Sequence, residues 1–282
     1  MEFLLGSPVW PYVGVHENFG PVVRGHLLTA HELAYVDAFL GAELPLCESN
    51  GLAWSEALRD SVLMTNGSLV AAITGSIARP DVIAMSPSSG FHHAGPEEGQ
   101  GFCTFSGQVI AALQLYRTRG LVGAWIDLDG HHGNSIEDTR EFAPDLDRAI
   151  PRSCNLNPVG DHEFYLRDLA CLLEQLGRMV TSGQVHYVCV AHGADSHEWD
   201  QLGHQCNTAE WLQASDLVYS AIRGWSETLG CPVPVTLALF GGYRDDHPAS
   251  VLGLHAMDAA RALVQLGGVG ELAAYQAEVR PR

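Results

Sequence analysis

The sequence predicts an α/β protein: one domain of three layers, α/β/α, around a mostly parallel central sheet. Three observations lead there. Short apolar runs alternate with longer stretches of helical periodicity, as in chains that wind a parallel sheet with helices on both faces. The polar clusters rich in His, Asp and Gly follow the apolar runs, where the carboxyl ends of parallel strands form a ligand crevice. The chain has 282 residues, 46% of them hydrophobic, with no internal repeat, low-complexity tract or linker, so a single domain over residues 1–282 is expected.

Residues 1–26, rich in Gly, Pro and aromatics, are expected to be irregular. Thr29 to Glu32 has the spacing of a capping box, and Leu33, Val36 and Leu40 form a helical stripe after it. A second helix begins near Ser55, with Leu58, Val62, Leu69 and Ile73 inward and Asn66-Gly67 as a candidate break. Asp81 to Met85 reads as a strand between Pro80 and Pro87. Phe105 to Arg119 reads as a helix closed by Gly120, and Val122 to Ile126 as a buried strand. Helix 163–182, strand 185–191, helix 208–229, strand 235–240 and helix 249–266 complete the alternation.

The strand at 122–126 runs into Trp-Ile-Asp-Leu-Asp-Gly-His-His-Gly-Asn, residues 125–134. Side chains alternate along a strand, so Asp127 and Asp129 are expected to point the same way. Two carboxylates beside two imidazoles can share a cation; the plainer alternative is a salt-bridged strand end with surface histidines. Two more stretches favour the cation: Ser89 to Gly95 carries the pair His92-His93, and His192 to Asp200 supplies Asp195 after another apolar run. A fourth run ends in Gly241, Gly242 and Tyr243.

These stretches resemble the histone deacetylase, acetylpolyamine amidohydrolase and acetoin-utilisation superfamily, which has the arginase-deacetylase fold. The matching pieces are GFHHAGPEEGQGFCTFSGQVIAA from Gly90, DLDGHHGNSIEDT from Asp127, GADSHEWDQLG from Gly193 and GGY from Gly241. The similarity runs from about Leu27 onward and marks a short, class II-like member. It implies a zinc-dependent amidohydrolase that removes an acyl group, chiefly acetyl, from an amine such as acetyl-lysine or a small acylated metabolite. It implies one zinc ion per chain on Asp129, His131 and Asp195, with a coordination position left open. It makes His93 the general base and acid, and His92 an electrostatic partner oriented by Asp127. Tyr243 becomes the hydrogen-bond donor to the developing oxyanion. Asn134 stands where some members have an aspartate on the second histidine, and a neutral acceptor raises a histidine pKa less. Gly101, Phe102 and Leu202 match the substrate tunnel, and His132 is expected to support the metal loop from behind the ligands. Cys103 reads as packing, and Asp127 keeps one potassium ligand, compatible with a K+ site.

Two departures accompany the match. Relative to the family the chain starts late, so its usual first strand and the long loop after it are not expected here, and only residues 132–194 separate His131 from Asp195. The shortened part would carry a tunnel aromatic, so a wider tunnel or one completed by another subunit is expected. Alternatives are an acetylpolyamine amidohydrolase, a two-metal arginase-like enzyme and a catalytically silent acyl-lysine binding module. The arginase reading wants a second Asp-rich cluster, which Gly193 to Asp200 does not supply.

The formal net charge of −18 argues against nonspecific nucleic-acid binding. Seven cysteines without a C-x-x-C pair read as reduced, mostly buried thiols of a cytoplasmic protein. The N-terminus shows neither a signal peptide nor a membrane span. His16, His26, His31, His162, His186, His192, His247 and His255 are read as structural. His197, His204, Glu97 and Glu98 are read as surface groups.

Overall fold

The computed structural model describes residues 2–281. Its centre is a five-stranded, wholly parallel sheet of β1 (Ala84–Ser86), β2 (Gly123–Asp127), β3 (Asn155–Leu156), β4 (Tyr187–His192) and β5 (Val235–Leu239), in the order β1-β5-β4-β2-β3. The registers Asp127↔Ala191 and His192↔Leu239 bring the carboxyl ends of β2, β4 and β5 to one edge.

The helices are α1 (Glu2–Leu5), α2 (Arg24–Leu27), α3 (Leu33–Gly41), α4 (Glu56–Ala78), α5 (Gly107–Arg119), α6 (Ser135–Thr139), α7 (Leu146–Ala149), α8 (His162–Thr181), α9 (Thr208–Leu229) and α10 (Pro248–Gly267). Helices α4 and α5 pack on each other, and α8, α9 and α10 pack in sequence. Connections from β1 to β3 advance across the sheet one way, and those from β3 to β5 return. Right-handed crossovers therefore put these two helix groups on opposite faces. The direction reverses between β2 and β4, and loops diverging there open a crevice.

The sheet is buried because its strands are apolar on both faces: every residue of β2 and β4 is buried. Trp125, Trp211, Tyr165 and Tyr187 are among the largest fully enclosed side chains. Gly123 is required because a Cβ there would run into the Tyr187 ring.

Several expectations are corrected. Residues 1–26 are not wholly irregular, since α1, a 3-10 turn at Trp10–Tyr12 and α2 lie within the described part. Helix α3 starts at Leu33 with Glu32 as N-cap and no side-chain cap; Thr29 Oγ1 instead donates to the His26 carbonyl, 2.7 Å away. Helix α4 continues through Asn66-Gly67. The glycine is there because the chain at Gly20 and Pro21 crosses the helix so closely that a Cβ would strike the Gly20 carbonyl. Strand β1 begins three residues later than expected, at Ala84.

Helix α4 is long and apolar enough to cross a membrane by length and composition. Here it packs on β1, β5 and α5. Ser76 Oγ lies 3.0 Å from Thr236 Oγ1 and Ser68 Oγ 2.9 Å from Ser86 Oγ, which fixes the helix to the sheet.

Candidate metal and catalytic site

Asp129 and His131 follow β2, and Asp195 follows β4, on the two sides of the reversal point. Their ligand atoms all lie within 4.8 Å of one another. His131 Nδ1 is 2.9 Å from Asp195 Oδ2 and 3.2 Å from Asp129 Oδ1. Backbone N–H groups hold the carboxylates: Gly130 donates to Asp195 Oδ1 at 2.9 Å, His131 to Asp129 Oδ1 at 2.9 Å and Gly241 to Asp129 Oδ2 at 2.7 Å. A Cβ on Gly193 or Gly241 would run into the Asp195 carboxylate, and one on Gly203 into its carbonyl. Close approach of backbone thus builds this cradle.

Two buried carboxylates at this distance repel each other. Burial, and then the charge of Asp129, push Asp195 up to about 6 in spite of the His131 hydrogen bond. Hydrogen bonds to Asp129 and Asp195 raise His131 to about 10. The trio is a high-field donor set of two hard oxygens and one borderline nitrogen, converging at the crevice, and its residues fit a divalent ion such as zinc.

His92 and His93 follow β1 through a loop anchored by the buried Phe91, with ring centroids 4.1 Å apart. His92 Nδ1 is 2.9 Å from Asp127 Oδ2, and its Nε2 is 3.8 Å from Asp129 Oδ1. His92 therefore lies between the two aspartates of the β2 tip. Burial alone would lower its pKa, but Asp127, then Asp129 and Asp195, raise it to about 9. His93 is lowered, by burial first and then by the neighbouring His92 charge.

Asn134 Nδ2 donates to Asp138 Oδ2 at 2.6 Å, so its Oδ1 faces His93 Nδ1 at 2.8 Å. That orientation makes His93 Nδ1 the donor and leaves Nε2 with a free lone pair. A base thus stands beside a charged imidazolium, the two set apart by one neutral and one ionised partner.

The Tyr243 ring is 6.1 Å from that of His131 and 6.1 Å from that of Phe102. Burial, then the Asp129 and Asp195 charges, push its hydroxyl above the ordinary tyrosine value, so it remains a donor. Phe102 sits on a two-residue hairpin turn closed by Gln100 and Cys103. Gly101 and Phe102 have φ of +53° and +64°, the left-handed pair such a turn needs. Phe102 is 48% exposed, and a Cβ on Gly101 would meet His93 Cδ2 at 2.7 Å. Leu202 is 53% exposed. His132 is exposed and lines an adjoining cavity, so it does not stand behind the ligands as expected. Cys103 is buried, its thiol pushed up to about 12 by that burial.

Several contributors escaped the sequence reading. Asp200 is buried, and its carboxylate accepts from Leu202 N at 2.9 Å and Tyr243 N at 2.7 Å, clamping the tyrosine loop to the Asp195 loop. The local signal was an Asp two residues before a backbone donor. Asp138, which orients Asn134, sits four residues on from it, a helical spacing. Asn157 Oδ1 accepts from Gly133 N at 2.8 Å, and Gln205 Nε2 donates to the Gly130 carbonyl at 2.7 Å; nothing local announces either.

His197 is corrected from a surface group to a buried one, with Nε2 2.9 Å from Thr208 Oγ1. His192 is buried and stacked on Trp211 at 3.8 Å, with Nδ1 3.1 Å from Asp258 Oδ1.

Residues 7–146 match the histone deacetylase domain family. The chain is 32% identical over 166 residues to histone deacetylase 14, chloroplastic, of Arabidopsis thaliana, covering 51% of this chain and 39% of that protein. It is 31% identical over 88 residues to histone deacetylase 8 of Xenopus tropicalis, covering 31% of this chain and 24% of the relative. The alignments thus span well under half of these relatives. The fold is similar to the crystal structure of the HDA15 HD domain, with a TM-score of 0.66, 17% identity, and coverage of 94% of this chain and 79% of that one. The family match, the sequence relatives and the fold neighbour together support the histone deacetylase superfamily, with its arginase-deacetylase fold.

Proposed function

We propose that the protein is a zinc-dependent amidohydrolase that removes an acetyl group from an N-acetylated amine. The observation that carries this reading is the convergence of Asp129, His131 and Asp195 beside two histidines with opposite electrostatic settings. A bound zinc ion would supply Lewis acidity at the substrate carbonyl. The chain's own residues do the rest. His93 Nε2 takes a proton from the attacking water and returns it to the leaving amine nitrogen. His92, held charged by Asp127, stabilises negative charge developing beside it. The Tyr243 hydroxyl donates to the carbonyl oxygen as it becomes an oxyanion. Phe102 and Tyr243 flank the substrate's alkyl stem.

A silent acyl-lysine binding module has no use for a base and an imidazolium set apart in this way. A two-metal, arginase-like enzyme would need further carboxylates, and among the described residues Asp129, His131 and Asp195 form the one cluster of metal-ligand type. Potassium at Asp127 is a proposal of lower rank, because that carboxylate already serves His92 and the Asp129 N–H.

Metal analysis of the purified protein, together with an acetyl-lysine peptide assay, tests the reading. One zinc per chain, lost in Asp129→Ala along with turnover, is expected. Two ions per chain, both needed for activity, would move the protein to the arginase branch. Full hydrolysis by a metal-free protein would overturn the proposal outright.

A further inference from the structure

A cavity of about 240 Å3 opens beside the proposed metal ligands. Asp129 and His131 form part of its floor, and none of His93, Phe102 or Tyr243 lines it. The proposed function places the substrate's stem along Phe102 and Tyr243, whose rings are 6.1 Å apart, so this polar recess lies apart from it.

The recess has a built wall. Only residues 157–161 connect β3 to α8, and they form one side of it together with Gln205. Asn157 and Gln205 bind the backbone of Gly133 and Gly130, so the wall also braces the metal loop. Val159 N donates to Asp168 Oδ2 at 2.9 Å, which pins the lip to α8.

Asp161 occupies the N-cap position of α8, yet its side chain does not cap the helix. It lines the recess instead. Residues around the recess include three aspartates and two histidines but no lysine or arginine. Asp127 is engaged by His92, and Asp129 belongs to the metal donor set. That leaves Asp161 as the uncommitted charge. A hydrogen-bond donor entering the recess would be held by the Asp161 carboxylate.

An acetyl group ends in a methyl and has no donor to offer. A donor entering the recess must belong to the amine half of the substrate. A straight lysine stem lying along Phe102 and Tyr243 would leave the recess to water.

We propose that this recess is a second substrate lobe, which receives a hydroxyl- or ammonium-bearing branch of the amine. The preferred substrates are then N-acetylated amines branched beside the nitrogen and carrying donors on the branch. This inference rests on the deacetylase reading above.

The test uses the zinc-loaded protein and three acetamides of one skeleton: N-acetylserinol, 2-acetamido-1,3-diaminopropane and N-(pentan-3-yl)acetamide. The first two should exceed the third in kcat/KM by roughly tenfold or more. Asp161→Leu should collapse that ratio, most of all for the diamine. Ligand-observed NMR with free serinol and with free 1,2,3-triaminopropane reads the lobe without turnover, and the signal should weaken in Asp161→Leu. Hydrolysis of an acetyl-lysine peptide with no preference among the three acetamides would overturn the lobe and leave the deacetylase reading intact. Binding of the free amines that depends on Asp161, with neither the acetamides nor the acetyl-lysine peptide hydrolysed, would uphold the lobe and overturn the deacetylase reading. Failure of both measurements would overturn both.

Discussion

Asn134 Oδ1 accepts a hydrogen bond from His93 Nδ1 at 2.8 Å, and what fixes it there is Asp138 on the other end of the amide. An aspartate at 134 would set two carboxylates against each other at the 2.6 Å contact with Asp138. The asparagine is therefore a matched choice and not a weakened one. Exchanging the two groups, Asn134→Asp with Asp138→Asn, keeps the contact and gives His93 a charged partner. The His93 pKa, now lowered by burial and by His92, should rise in that double variant. The base must be neutral to act, so the acidic limb of kcat/KM should move to higher pH. An unmoved limb would mean that another group controls it.

Tyr243→Phe removes a donor whose proton the surrounding carboxylates help to retain. Turnover should fall by roughly two to three orders of magnitude, with zinc content unchanged because Tyr243 is not in the donor set. Near-normal kcat would remove the tyrosine from the mechanism.

Leu202 is exposed and offers apolar contact without charge. Its backbone is fixed by Asp200, which is spent on two N–H groups and is buried. Acetylspermidine should not be preferred over a neutral-capped acetyl-lysine peptide, and Leu202→Glu should shift the ratio toward the polyamine. Both values of kcat/KM belong at one ionic strength, because a net charge of −18 attracts any cation. A wild-type preference for the polyamine above about tenfold, near 1.4 kcal/mol, would defeat this role for Leu202.

Acid should loosen the fold through His31. The ring is fully enclosed, 2.7 Å from the Gly95 carbonyl through Nδ1 and accepting from Ser106 N through Nε2 at 2.9 Å. Burial lowers its pKa from 6.5 to about 4. Between those values the unfolded chain takes up a proton that the folded chain refuses. Stability present above pH 6.5 is accordingly lost as pH falls toward 4, at up to about 1.4 kcal/mol per pH unit. His255, also lowered to about 4 by burial, adds to the slope. Urea unfolding from pH 4.5 to 7 should show a shallower slope for His31→Asn than for the wild type. Parallel slopes would exclude His31 as the titrating group.

Much of the site was legible because its residues come in short local motifs. Asp127 to Asn134 and His92-His93 stand out as candidate cation-binding stretches, their individual roles come from the family resemblance, and the apolar runs before them locate the strands. The order of the strands was not legible, because no local pattern says that β4 inserts between β2 and β5. Gly67 was misread as a helix break, since its reason lies in a segment more than forty residues earlier in the sequence. His197 looked like a surface group because the cover that buries it comes from tertiary contacts. Gln205 and Asn157 act through backbone partners that only the folded chain brings near.

The strand order also sets a timetable for the protein during synthesis. Asp129 and His131 emerge from the ribosome together, but their third companion follows 64 residues after His131, and the Gly241 amide that fastens Asp129 emerges later still. A nascent chain halted before β4 carries two donors and no third. Tight metal capture should therefore come after most of the polypeptide has been made, and a stalled or truncated product should compete poorly for zinc.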